Sequence, residues 1–262
     1  MKLKIIQVDA FAEKVFSGNP AAICMLDDWL ADKLMQQIGM ENNLSETAFV
    51  VKEEAGYRIR WFTPTVEVDL CGHATLAAAK VLFDKQEFAG NEVVFYSKSG
   101  QLKVTKEING KLKLNFPVAP FELVSDPPAS ILTALKIGSA IIYKGSFDYM
   151  AVIENQEQIE SLDPDYNLLA TLKSRGIVVT APGNEVDFVS RCFYPQTGVN
   201  EDPVTGSAHT MLTPYWAGIL GKNKLSAIQL SYRRGNLECE LSGDRVYISG
   251  NAIVYMTGEI EI

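Results

Sequence analysis

The sequence predicts an α+β fold of two pseudo-symmetric lobes, each a curved, mostly antiparallel sheet or barrel around a central helix. Three observations lead to it. Strand and helix patterns recur in the same order in both halves. Alternating strands are joined by glycine-containing turns, a hairpin signature. Each half also delivers a glycine that opens an apolar helix, at Gly72 and at Gly206.

Taken in order, strand patterns at Leu3–Val8 and Ser139–Tyr143 open the halves, and strands around Ile23 and Val152 follow. A helix with an aspartate-containing start comes next. Leu30, Leu34 and Ile38 follow Asp27-Asp28; Leu168, Leu169 and Leu172 follow Asp163-Pro164-Asp165. Strands Thr47–Val51 and Tyr57–Phe62 match Ile177–Thr180 and Asp187–Tyr194. The helix after Gly72 is apolar nearly all round, so it is expected to be buried. Its counterpart after Gly206 carries Pro214, which costs ~3 kcal/mol inside a helix and kinks it unless the helix breaks there. Each half closes on strand patterns carrying Gly100 and Gly235, a turn at Asn109-Gly110 and at Ser242-Gly243-Asp244, and a further alternating strand.

The expected lobes are residues 1–117 and 118–251. Pro117–Pro128, with its four prolines, reads as the linker. Ala252–Met256 and Gly258–Ile262 read as two last strands without a first-half counterpart, crossing back onto the first lobe.

Composition narrows the function. The 262 residues carry a net charge of −8 and no dense Lys/Arg cluster, which argues against nucleic acid as partner. A small anionic ligand remains compatible, because local dipoles override net charge. The N-terminus does not read as a signal peptide, and no apolar run approaches the ~18 residues of a membrane span. Cys24, Cys71, Cys192 and Cys239 are far apart, with no CxxC, as expected of a cytoplasmic protein with free thiols. Two histidines cannot build a multi-histidine metal cage. Neither a Walker loop nor a Gly-x-Gly-x-x-Gly run suggests a cofactor.

Both histidines fall in the glycine motifs, Cys71-Gly72-His73-Ala74-Thr75 and Thr205-Gly206-Ser207-Ala208-His209. If the halves are pseudo-symmetric, the two helix starts can face one cleft. Each start presents unpaired N–H groups and about half a positive charge. The N–H groups around Gly72, Ala74 and Gly206, with the Ser207 hydroxyl, then form a carboxylate site without Lys or Arg, and His209 is a further candidate ligand residue. His73, near its helix start, is expected to be neutral and able to donate a hydrogen bond or relay a proton. Glu46, between Asn42-Asn43-Leu44-Ser45 and an apolar strand, is the candidate acid/base. Asp202 and Ser207 also fit ordinary turn and capping roles. Cys71 is read as structural. A non-catalytic binding module is the alternative; a Cys71–His73 hydrolase lacks a third, orienting residue.

These residues closely resemble the phenazine-biosynthesis PhzF-like family, which shares the diaminopimelate-epimerase fold. The resemblance runs essentially end to end. It includes Val8-Asp9-Ala10-Phe11 with Gly18-Asn19-Pro20-Ala21-Ala22, then Asn43-Leu44-Ser45-Glu46-Thr47-Ala48-Phe49. It continues through Trp61-Phe62-Thr63-Pro64 to Asp69-Leu70-Cys71-Gly72-His73-Ala74-Thr75, and ends in Asn200-Glu201-Asp202-Pro203-Val204-Thr205-Gly206-Ser207-Ala208-His209. The resemblance implies a site between two alike lobes, usually a homodimer, and an isomerase without cofactor or metal. By motif, the proton-moving glutamate falls on Glu46, and its companions on His73, Asp202 and Ser207. The fold's racemases carry a cysteine before each glycine; here Thr205 stands in the second place, which argues against a two-thiol mechanism.

Overall fold

The computed structural model describes residues 1–84 and 90–262. The chain forms two compact units, Met1–Phe116 with Tyr247–Ile262, and Pro117–Val246. Unit 1 opens with strands β1 (Lys2–Ala10) and β2 (Asn19–Leu26), then helix α1 (Asp32–Asn42). Strands β3 (Glu46–Glu53), β4 (Gly56–Phe62) and β5 (Glu67–Val68) lead to helix α2 (Gly72–Phe83), and β6 (Glu92–Ser97), β7 (Gly100–Lys106) and β8 (Leu112–Pro117) follow. Most pairings are antiparallel; β2–β3 and β4–β6 are parallel.

Unit 2 begins with β9 (Phe121–Leu123) and α3 (Ala129–Leu135), then repeats the unit 1 order. Strands β10 (Ile141–Gly145) and β11 (Asp148–Val152) come first, then two short helices, α4 (Gln156–Glu160) and α5 (Tyr166–Leu169). Strands β12 (Gly176–Pro182), β13 (Phe188–Tyr194) and β14 (Val199–Asp202) lead to α6 (Gly206–Leu220), and β15 (Lys224–Gln229) and β16 (Gly235–Ser242) follow; β17 (Arg245–Gly250) begins in unit 2 and continues from Tyr247 in unit 1. Parallel pairs fall in the same places, β11–β12 and β13–β15. The chain ends in β18 (Ala252–Glu261), antiparallel to β1 with a register shift at Gln7/Val8.

Why each sheet wraps a helix is plain in α2. Every residue from Gly72 to Phe83 except Lys80 is buried. A helix apolar on all sides needs partners on all sides, and α2 packs against β1, β2, β3, β7 and β18. The outer sheet face is covered too. Met35 and Ile38 of α1 meet Ala22, Cys24 and Phe49; Ile131, Ile159 and Leu169 of the unit 2 outer helices meet Ile177, Val179 and Phe193. Strands covered on both faces lose their alternation. This explains the near-continuous burial of β2 and β12.

Four sequence expectations are corrected. Helix α1 starts at Asp32, after Leu30, because Ala31 takes the extended N-cap conformation. The Asp163–Leu172 segment yields only the four-residue α5, capped by Asp165 accepting the Leu168 N–H at 3.0 Å. The Pro117–Pro128 stretch is not a bare linker, since its Phe121–Leu123 pairs with β10. Finally, β18 is one strand, not two: Gly258 continues the ladder opposite Ile5.

Pro214 does not end α6. Proline lacks the N–H that would bond the carbonyl four residues back. That carbonyl, of Thr210, instead accepts the Ala119 N–H at 3.1 Å, so the backbone group stays satisfied.

Candidate active site

The unit 1 site is made where three segments begin. Helix α1 ends on Asn43 in the left-handed conformation, and the chain re-enters the sheet with Glu46 as the first residue of β3, paired opposite Ala21 of β2. Asn19 is the first residue of β2. Cys71 takes the extended conformation of an N-cap, so Gly72, His73 and Ala74 form the open first turn of α2. The Thr75 hydroxyl returns to the Cys71 carbonyl at 2.5 Å and fixes that turn.

These starts bring Glu46 and His73 together. Glu46 Oε2 lies 3.1 Å from His73 Nε2, with their side chains 16% and 4% exposed. The distance is short, but the ring nitrogen is not aligned as a hydrogen-bond donor. Such bonds in unliganded sites commonly tighten only when substrate arrives. On the other side of the ring, Nδ1 is 3.1 Å from the amide nitrogen of the buried Asn19 and 3.5 Å from Cys71 Sγ. In the neutral ring an amide N–H donated to Nδ1 leaves the one proton on Nε2, toward the carboxylate; in the charged ring both nitrogens carry protons and Nδ1 cannot accept.

The neutral imidazole expected at a helix start is not what this environment favours. Burial opposes the charged ring, but Cys71 and Glu46 together hold its pKa well above 6.5. Half a positive charge at a helix start loses to a full carboxylate charge at 3.1 Å. The environment therefore favours the proton on the imidazole, facing the Glu46 side chain.

Glu46, Cys71 and His73 also bring three metal-ligating atoms within 4.8 Å of one another. A metal would need a thiolate and a neutral imidazole. Burial, helped by Glu46, pushes the Cys71 thiol up to about 11, so a metal there would have to displace the proton of the thiol as well as that of the ring. The same facts set an expectation for Cys71→Ser. It should keep activity within about threefold, because a buried protonated thiol is a poor nucleophile. Turnover falling more than tenfold, with the circular dichroism spectrum unchanged, would return Cys71 to the chemistry.

In unit 2, Thr205 is the N-cap of α6, and Gly206, Ser207 and Ala208 form its first turn. Ser207 thus occupies the turn position that His73 holds in α2. Asp202, ending β14, accepts the Thr205 hydroxyl at 2.5 Å, while its carbonyl accepts Gln229 Nε2 at 2.6 Å. Asp202 is thereby tied to the N-cap. His209 is not at the open turn. It is fully buried, its Nδ1 is 2.8 Å from the Thr205 carbonyl, and its ring lies against Phe188. It repeats the Thr75 role one turn into the helix, and burial pushes its pKa down to about 4.

Three further residues, none given a role from the sequence, join these groups. Asn19 was visible only as part of a Gly-Asn-Pro run. Arg175 and Asp148 had no local pattern at all: Arg175 Nε donates to Asp148 Oδ1 at 3.0 Å, and Nη2 donates to Asp148 Oδ2 and to Ser207 Oγ, the latter at 3.2 Å.

Comparison with known proteins fits this arrangement. The family model described as "phenazine biosynthesis-like protein" matches residues 8–258. An isomerase of uncharacterized activity from Pseudomonas aeruginosa is 52% identical over 262 residues, covering all of both chains. The crystal structure of a PhzF-family phenazine biosynthesis protein from Enterococcus faecalis superposes with a TM-score of 0.95 at 46% identity, again over all of both chains. A hydroxyproline epimerase from Agrobacterium vitis, at 8% identity and a TM-score of 0.63 over 99% of this chain and 92% of that one, shares the fold alone. With its two epimerase-like units, its Glu46–His73 pair and relatives matched end to end, the chain belongs to the phenazine biosynthesis-like family of isomerases.

Proposed function

We propose that this isomerase moves a proton between atoms of one small carboxylate-bearing substrate, as a double-bond shift or an epimerisation, without a cofactor. The observation that carries the reading is the close, largely buried Glu46–His73 pair. Isomerisation needs a group that acts as base and then as acid, and a carboxyl beside an imidazole that can carry a proton supplies it. Glu46 takes a proton from one carbon and returns it to another, so protons and electrons balance within the substrate. His73 keeps the pair charged correctly between the two transfers. Ser207 and the N–H groups of Gly72, Ala74 and Gly206 hold the substrate carboxylate, and Asp202 steadies the α6 start through Thr205. The family resemblance adds a homodimer to the proposal, and the four scattered cysteines a cytoplasmic setting.

The test is deuterium exchange in heavy water over a panel of small carboxylates. The protein should wash deuterium into one carbon position of at least one of them. Binding of panel members with no exchange in any would instead support a non-catalytic binding module.

A further inference from the structure

The two units repeat not only their elements but also the way each helix start is controlled. In unit 1, the first residue of the second strand, Asn19, reaches the His73 ring, and the residue opening the next parallel strand, Glu46, lies against the other side of that ring. In unit 2, the first residue of the second strand is Asp148, paired with Gly176 at the start of the next parallel strand. Arg175, immediately before that strand, reaches Ser207. Glu46 opens its strand and Arg175 immediately precedes its own, and each touches the second residue of its helix's first turn. One unit carries a carboxylate on an imidazole; the other carries a cation on a hydroxyl.

We infer that Arg175, locked by Asp148, is a positioning residue that sets the direction of the Ser207 hydroxyl proton. The inference rests on the carboxylate reading above. A serine hydroxyl has one proton and can accept as well as donate. When the Arg175 N–H donates into Ser207 Oγ, the hydroxyl is left to donate its own proton elsewhere, to an acceptor such as a carboxylate oxygen. The guanidinium is well placed to stay fixed. Two of its nitrogens hold the Asp148 carboxylate, which is 6% exposed, and its carbon lies 5.1 Å from the Tyr194 ring centre and 5.8 Å from that of Phe147. The Arg175 backbone N–H also bonds the Phe147 carbonyl at 2.8 Å. A planar fork serves this geometry where a lysine ammonium could not.

The test is a double-mutant cycle on binding, since an arginine acting through Ser207 should lose its influence when the hydroxyl is gone. Removing Arg175 alone would strand the buried Asp148 carboxylate, which endangers folding. The variant is therefore the neutral pair Asp148→Asn with Arg175→Gln, alone and combined with Ser207→Ala. Calorimetry uses benzoate, anthranilate and proline, each beside its carboxamide, and follows the pair with the tightest carboxylate. The wild type should favour that carboxylate, and the neutral pair should bind it roughly tenfold more weakly with little change for the carboxamide. Ser207→Ala should weaken it similarly, and the triple variant should be no weaker than Ser207→Ala. Equal losses from the neutral pair with and without the hydroxyl would overturn the positioning role while leaving the carboxylate reading in place. A wild type that does not favour any carboxylate over its carboxamide would remove both.

Discussion

Glu46→Gln should lower turnover by about 10²–10⁴-fold while leaving ligand binding within a few-fold. Glutamine keeps the size and hydrogen-bonding reach of glutamate but cannot carry a proton. The change also removes a neighbour that raises the His73 pKa, so its signature extends beyond rate. The chain has only two histidines, which makes that signature readable. In the wild type, one ring should titrate well above 6.5 and the other at about 4, in proton NMR. Glu46→Gln should move the upper titration down and leave the lower one unchanged. Deuterium wash-in as fast as in the wild type, or an upper titration that does not move, would take Glu46 out of the mechanism.

The same two rings set opposite pH signs for stability. His73 has a folded pKa above its unfolded value, so its contribution is fully present below about pH 6.5 and fades as pH rises through the folded pKa. His209 has a folded pKa below its unfolded value. The unfolded chain binds more protons between about 6.5 and 4, so stability falls as pH drops through that window.

The fold was legible where local pattern and tertiary packing agree. A glycine followed by Ala74, Leu76, Ala77 and Ala78 reads as a buried helix because no face of it is polar, and α2 is buried on all sides. Pattern failed where prolines mask pairing. Pro117, Pro120, Pro127 and Pro128 read as linker, yet Phe121–Leu123 between them is a strand. The candidate residues show the same limit. Glu46 and His73 are 27 positions apart, and only the shared motifs drew attention to both before the structure set them 3.1 Å apart. The Asp148–Arg175–Ser207 chain was invisible because it depends on the parallel register of β11 and β12, which no local window contains. His209 was a candidate ligand residue from its place in the second glycine motif, but two residues along the helix from Ser207 turn its side chain to another face.

A Gly-to-Ala substitution should have opposite effects at two positions, and the larger concerns the loop that delivers Asn19. Gly18 has φ +69°, and a Cβ there would sit 2.2 Å from the Ala10 carbonyl oxygen and 2.9 Å from Ala12 Cβ. The oxygen belongs to the backbone of β1, whose Ala10 is paired with Asn19, so it cannot move without breaking the ladder. Left-handed strain of about 1 kcal/mol then adds to a backbone clash, for a loss of about 3 kcal/mol or more. At this chain length that is roughly 6–12 °C in Tm. Asn19 is the next residue, so the shift should also pull its amide away from His73 Nδ1, and the upper histidine titration should change in any Gly18→Ala protein that still folds. Gly218 lies inside α6, and a Cβ there would meet nothing within 4 Å. Gly218→Ala should therefore stabilise by about 0.5–1 kcal/mol, since the unfolded chain loses more freedom than the folded one. Thermal unfolding of the two variants beside the wild type checks both signs at once. A Gly18→Ala midpoint within a degree of wild type would mean that the β1–β2 turn does not hold Asn19 in the way its backbone indicates.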